Sequence, residues 1–233
     1  MKTEKLKQGI RYDTPQKNYQ KGKMYEFDFN EDILVVEDQD NGTKDYTMLH
    51  FKICSDEKAY FSEEYLAVGE RKEGNKRPDI TAIVENSKQK KVKWFIYDMK
   101  DTVLNAKTAL KLCSQWHSGI ERITIQYLHG LSEYNIESSV GVITRYWDKD
   151  MLRKEIEEYT KKIESRNVLL TARKSSPKIA EYREKIRVMQ NIIDELFVDI
   201  DEMTGNTKIY PINYVDLVET ETMIYTAHMG ICL

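Results

Sequence analysis

Two carboxylates and a lysine stand where a buried strand would carry apolar residues. Asp79 lies at the mouth of the run "ITAIV", and Asp98 and Lys100 lie at the end of "VKWFIYDMK". Two carboxylates from adjacent strand ends, converging on one face, supply hard oxygen ligands of the kind Mg²⁺ takes alongside waters and phosphate oxygens. Side chains two residues apart on a strand share a face, so Lys100 points the same way as Asp98. Its ammonium can orient or help deprotonate an attacking water and offset charge building on a phosphorane-like transition state, while metal stabilises the leaving oxygen. The trio therefore suits hydrolysis of a phosphodiester. The plain alternative is that Asp79 caps a turn while Asp98 and Lys100 form a surface ion pair at a strand end.

The elements around the trio must bring it together. "ITAIV" and "VKWFIYDM" are rich in β-branched and aromatic residues and flank a lysine-rich turn, which predicts a hairpin. Its second strand places Trp94, Ile96, Asp98 and Lys100 on one face and Phe95, Tyr97 and Met99 on the other. Upstream, "MYEFDFNEDILVV" and "YTMLHFKI" flank an Asn-Gly pair and predict a further hairpin. Ser55 or Asp56 as an N-cap, Tyr60, Phe61, Tyr65 and Leu66 at mixed helical spacing, and Gly69 near the end predict a short helix between the hairpins. Downstream, Val103, Leu104, Ala106, Leu110, Cys113 and Trp116 have near-helical spacing that closes at Gly119, and "RITIQYL" reads as the returning strand of a parallel crossover. "SSVGVITRYW" adds another strand. The expected class is α/β, a mixed α+β sheet with helices packed on it.

Residues 148–198 have a different rhythm. Leu152, Ile156, Tyr159 and Ile163, then Ile179, Tyr182, Ile186, Met189, Ile193 and Leu196, predict two antiparallel helices broken at "KSSP", with Ser176 capping the second and Pro177 in its first turn. Their stripes face either a second copy or protein partner, or the protein's own sheet. The organisation expected is an irregular N-terminal arm over 1–23, a core with its N-terminal hairpin over 24–147, the helical pair over 148–198, and β elements packing on the core over 199–233.

Composition sets the outer limits. The chain has 233 residues, 32% of them charged, a net charge of −3 and a mean hydropathy of −0.64. No run approaches the roughly 20 apolar residues of a membrane span. The net charge excludes bulk electrostatic capture of nucleic acid, so any such site is a local patch. Candidates are Arg71, Lys72, Lys76 and Arg77, the turn lysines Lys88, Lys90, Lys91 and Lys93, and Arg166, Arg173, Lys174 and Lys178. Cys54, Cys113 and Cys232 lack CxxC spacing and no apolar stretch lies near Met1, so a cytoplasmic setting is expected. His50, His117, His129 and His228 lack zinc-site spacing, and neither a GxxxxGK[ST] phosphate loop nor a GxSxG elbow occurs.

Pro78-Asp79 followed by Asp98-Met99-Lys100 resembles the PD-(D/E)xK nuclease superfamily, the restriction-endonuclease-like enzymes of restriction, repair and phage defence. The likeness spans about Tyr60 to Gly130, and "KRPDI" with the later DxK is similar to the nuclease part of McrBC-type systems. The resemblance implies a restriction-endonuclease-like core, a metal-dependent endonuclease acting on DNA, with RNA left open, in a microbial defence or mobile-element setting. It implies Mg²⁺ or Mn²⁺ as cofactor and Asp79, Asp98, Lys100 and Glu64 as catalytic residues. Metal contacts are implied at Asp79, Asp98, Glu64 and Met99, with Glu64 chosen over Glu63 and Glu70 on a preceding helix. A helix glutamine found in some branches corresponds to Gln115. The alternative is a catalytically inactive nuclease fold that binds nucleic acid or assembles with protein, and a third reading makes the helical pair a scaffold or inhibitor.

Overall fold

The computed structural model describes residues 25–27, 32–38, 44–54, 57–63, 76–103, 105–127, 133–169, 176–200, 205–219 and 224–230. Along the chain they form β1 (Tyr25–Phe27), β2 (Asp32–Asp38), β3 (Lys44–Lys52), β4 (Lys58–Glu63), β5 (Ile80–Asn86), β6 (Lys91–Val103), α1 (Ala106–Tyr127), β7 (Asn135–Trp147), α2 (Lys149–Leu169), α3 (Pro177–Ile193), β8 (Leu196–Ile200), β9 (Thr207–Asp216), β10 (Val218–Glu219) and β11 (Ile224–Gly230). A seven-stranded mixed sheet has the order β1-β4-β5-β6-β7-β9-β8, and a four-stranded sheet has the order β10-β11-β3-β2.

The fold is α/β, and its large sheet is covered on both faces. On one face Trp94, Ile96, Val140 and Val142 pack against Ala109, Leu112 and Trp116 of α1 and Met189 and Ile192 of α3. On the other, Phe95, Tyr97, Met99 and Ile143 pack against Leu49 and Phe51 of β3 and Ala227 and Met229 of β11. A strand covered on both faces is buried nearly throughout, which is why β6 reads as an apolar run from Trp94 to Met99 interrupted only by Asp98. The expected division of its side chains between two faces is the one seen.

The β5–β6 hairpin forms as expected, with Ile80 opposite Tyr97 and Asn86 opposite Lys91. The parallel crossover also forms, from β6 through α1 to β7. Its return strand, however, is Asn135–Trp147: "RITIQYL" continues α1 as far as Tyr127. Gly119 does not close this helix. A Cβ there would lie 2.7 Å from Cγ2 of Ile96 and 3.4 Å from Cγ of Pro78, so the glycine marks where the helix presses onto the hairpin. Asn105 starts α1, its Oδ1 accepting the N–H of Thr108 at 2.9 Å.

Of the helix predicted from Ser55 or Asp56 to Gly69, the part over Lys58–Glu63 is overturned, because it forms β4, antiparallel to β5; Ser55, Asp56 and residues 64–69 lie outside the described residues. Ala59 and Phe61 enter the core against the small sheet, while Tyr60 packs toward the helices. Apolar residues facing both ways hide the period of two that identifies a half-buried strand. The run from Met24 also divides, since β1 joins β4 in the large sheet while β2 and β3 form their hairpin in the small one. The N-terminal arm over 1–23, Tyr65, Leu66 and Gly69 lie outside the described residues.

The two helices of the 148–198 segment pair through the rings of Tyr159 and Tyr182, 5.2 Å apart. Their stripes pack on this chain's own core: Leu152, Ile179, Val188, Met189, Ile192 and Ile193 are buried. Leu196 falls outside the helical rhythm, in β8. Pro177 opens α3 as expected, but the Ser176 side chain makes no cap hydrogen bond; its carbonyl instead accepts the N–H groups of Ile179 and Ala180. Beyond them β8 and β9 form a hairpin that extends the large sheet beside β7.

Candidate active site

Pairing of Ile80 with Tyr97 brings Asp79, the residue before β5, alongside Asp98 in β6. The backbone N–H of Asp79 donates to Oδ1 of Asp98 at 3.3 Å, and the N–H of Met99 donates to Oδ2 of Asp79 at 2.8 Å. Each carboxylate is thus oriented by the neighbouring strand's main chain. Lys100 completes the group: its Nζ donates to Oδ2 of Asp79 at 2.8 Å and to the carbonyl of Met99 at 2.7 Å, and lies 3.8 Å from Oδ1 of Asp98. The structure therefore brings together Asp79, Asp98, Met99 and Lys100.

Burial grades the three side chains. Asp98 is 0% exposed, Lys100 12% and Asp79 25%, so solvent reaches the group past Asp79. A surface ion pair needs exposed partners, and Asp98 is not one. Burial, and then the charge of Asp79, hold the Asp98 carboxyl well above the usual carboxylate range, against the opposing pull of Lys100, the Asp79 N–H and Lys111. Oδ2 of Asp98 has no hydrogen-bond partner among the described residues. Such an orphaned buried oxygen is costly unless a proton or a cation uses it.

Helix α1 fixes the approach to Asp79 from above. The buried Gln115 donates through Nε2 to the carbonyl of Arg77 at 2.7 Å, and Gly119 seats the helix against Pro78. Gln115 thereby holds the backbone two residues before Asp79. Lys111, one helical turn before Gln115, is the residue that sequence reasoning missed; its i, i+4 relation to Gln115 was the available signal. Burial pushes the Cys113 thiol of the same helix up to about 12, which favours its protonated form.

Of the glutamates expected on a preceding helix, Glu63 ends β4 in register with Ile80, one rung from Asp79. Glu64 and Glu70 lie outside the described residues, as do Arg71 and Lys72. Among the described residues no group of three or more His, Cys, Asp or Glu side chains is arranged to hold a metal. The donor set that is present consists of two carboxylates and one main-chain carbonyl, all hard oxygens.

The turn lysines stand elsewhere. Asn86, beside the turn, lies seven residues along β5 from Asp79, about 23 Å at the rise of a strand. Lys90 there pairs with Glu133 and sits over the Tyr134 ring, and Lys93 sits over Phe95. Compared with known proteins, the chain matches no family model, no curated protein and no solved structure.

Proposed function

We propose that this chain is a metal-dependent nuclease of the PD-(D/E)xK kind, hydrolysing phosphodiester bonds of DNA. The observation that carries the reading is Asp98, a fully buried carboxylate with one oxygen unpartnered among the described residues, set beside a second carboxylate and a lysine at the open end of a hairpin. A chain does not bury such a group for stability, because replacing it by an apolar residue is usually neutral or favourable. The donors fit Mg²⁺ or Mn²⁺: Asp79 and Asp98 would hold the ion through their carboxylates and Met99 through its carbonyl, with Glu64 a further proposed contact. The ion supplies charge neutralisation at phosphate and acidifies bound water. The remaining work falls to the chain's own residues. Asp79, oriented by the Met99 N–H and a quarter exposed, lies on the side from which a phosphate would reach a bound ion. Lys100 carries the positive charge that steadies the attacking water and the charge building on the phosphoryl oxygens.

A second reading, a catalytically inactive nuclease fold serving as a binding or assembly module, is favoured by one specific contact. The Lys100 ammonium already compensates Asp79, so the group is satisfied as a structural ion cluster on that side. Cleavage of plasmid and of single-stranded DNA and RNA in Mg²⁺, with Asp98→Asn as control, separates the two. Cleavage that depends on Asp98 supports the enzyme, and no cleavage of any substrate leaves the inactive module.

A further inference from the structure

We infer that Lys100 is an internal counter-cation that must leave its seat before this site can take up a divalent ion, so that cation binding and the release of the catalytic ammonium are one event. The inference rests on the metal-site reading above and concerns its regulation. Lys100 Nζ contacts Oδ2 of Asp79 at 2.8 Å and the Met99 carbonyl at 2.7 Å, and lies 3.8 Å from Oδ1 of Asp98. Those are the oxygens a hard cation would use, and one ammonium holds or borders all three. The seat is enclosed as well, for the lysine side chain is only 12% exposed. An ammonium carries one charge and three N–H donors, so it compensates two carboxylates incompletely and, among the described residues, leaves Oδ2 of Asp98 without a partner. A divalent ion offers the second charge.

Two consequences follow from like charges competing for the same oxygens. While Lys100 stays seated, its charge opposes cation entry and its N–H groups are spent on protein oxygens. Once Asp79 and Met99 turn to a divalent ion, the ammonium is expelled toward solvent on a flexible four-carbon stem. It then becomes available to water and phosphate. The resting protein therefore keeps its lysine disarmed until the ion is present.

The test is Mn²⁺ titration by calorimetry at pH 8, where protons compete least, on wild type and Lys100→Met, both checked for folding by circular dichroism. The variant keeps the stem and loses the competitor, so its Mn²⁺ affinity is expected to rise by about tenfold or more. A wild-type measurement guards against a variant that does not fold: amine acylation of Lys100, read by mass spectrometry, is expected to quicken when Mn²⁺ is added. Equal or weaker Mn²⁺ binding by Lys100→Met, with acylation of Lys100 unchanged or slowed, overturns the exchange while leaving the metal site standing. Absence of Mn²⁺ binding in both proteins overturns the metal-site reading and the exchange together.

Discussion

Asp98 is where the proposed chemistry and the stability of this protein meet. Its folded-state pKa is raised by burial and by Asp79, so the folded protein holds a proton there more tightly than the unfolded chain does. The sign follows directly: this group's contribution to stability is fully present below the unfolded carboxylate value and is lost as pH rises through the folded value. In chelator, Asp98→Asn is accordingly expected to melt higher than wild type at neutral pH, with the advantage shrinking as pH falls, in thermal melts from pH 4 to 8. On the proposed nuclease reading the same substitution removes a ligand charge, so Mg²⁺ binding and DNA cleavage should weaken together in the folded variant. Lys100→Met separates the two properties. Its turnover should fall by about 10²-fold or more in single-turnover cleavage, the scale of losing an electrostatic catalytic group, without loss of metal binding.

Helix α1 packs on β6 of the hairpin, and α3 packs in turn on α1 and β8. Gly119→Ala forces a Cβ against Ile96, so α1 must lift from Pro78 or the core must give. The expected cost is about 1–3 kcal/mol in urea unfolding, with weaker Mn²⁺ binding in the folded fraction because the approach to Asp79 shifts. Ile193 is buried among Trp116, Phe197 and the rest of the helix-side core. Ile193→Glu should therefore cost several kcal/mol, since it buries an unpaired charge, whereas the same change in an interface between copies would give a folded monomer. Light scattering beside urea unfolding reads both outcomes. Apolar spacing alone identified these helices and most of their inward residues, but a stripe does not say what it faces.

Across the whole molecule, the placement of charge decides how a polyanion could reach the carboxylates. Lys76, exposed, and Arg77 stand three and two residues before Asp79, while the β5–β6 turn with Lys88 and Lys91 is at the far end of the same strands. Neutralising Lys76 is expected to weaken DNA binding and flatten its salt dependence by about one unit of slope. Neutralising Lys88 and Lys91 together should leave that slope unchanged for a short duplex, as measured by anisotropy over a salt series. A slope that responds to the turn and not to Lys76 would place the nucleic acid at the other end of the sheet.

The sequence by itself determined the features that depend on near neighbours. The alternation that puts Asp98 and Lys100 on one face, the turn that folds β5 against β6, the helical spacing of α1, α2 and α3, and thereby three of the four residues gathered at the site are local properties of the chain. Tertiary structure decided what local pattern cannot encode. Whether Asp98 is a surface acid or a fully buried one depends on β5 and β7 pairing on either side of β6 and on α1 packing against that strand. Whether Tyr60 and Phe61 lie on a helix or a strand depends on β5 being there to pair with them. Gly119 lies inside a continuing helix, at a point where Ile96, 23 positions earlier in the chain, leaves no room for a side chain. The seat of the Lys100 ammonium, on Asp79 from one strand end and Met99 from the next, exists only after the hairpin has closed. Each of these rests on contacts between residues distant in sequence, where burial and electrostatics outweigh the intrinsic preference of any one segment.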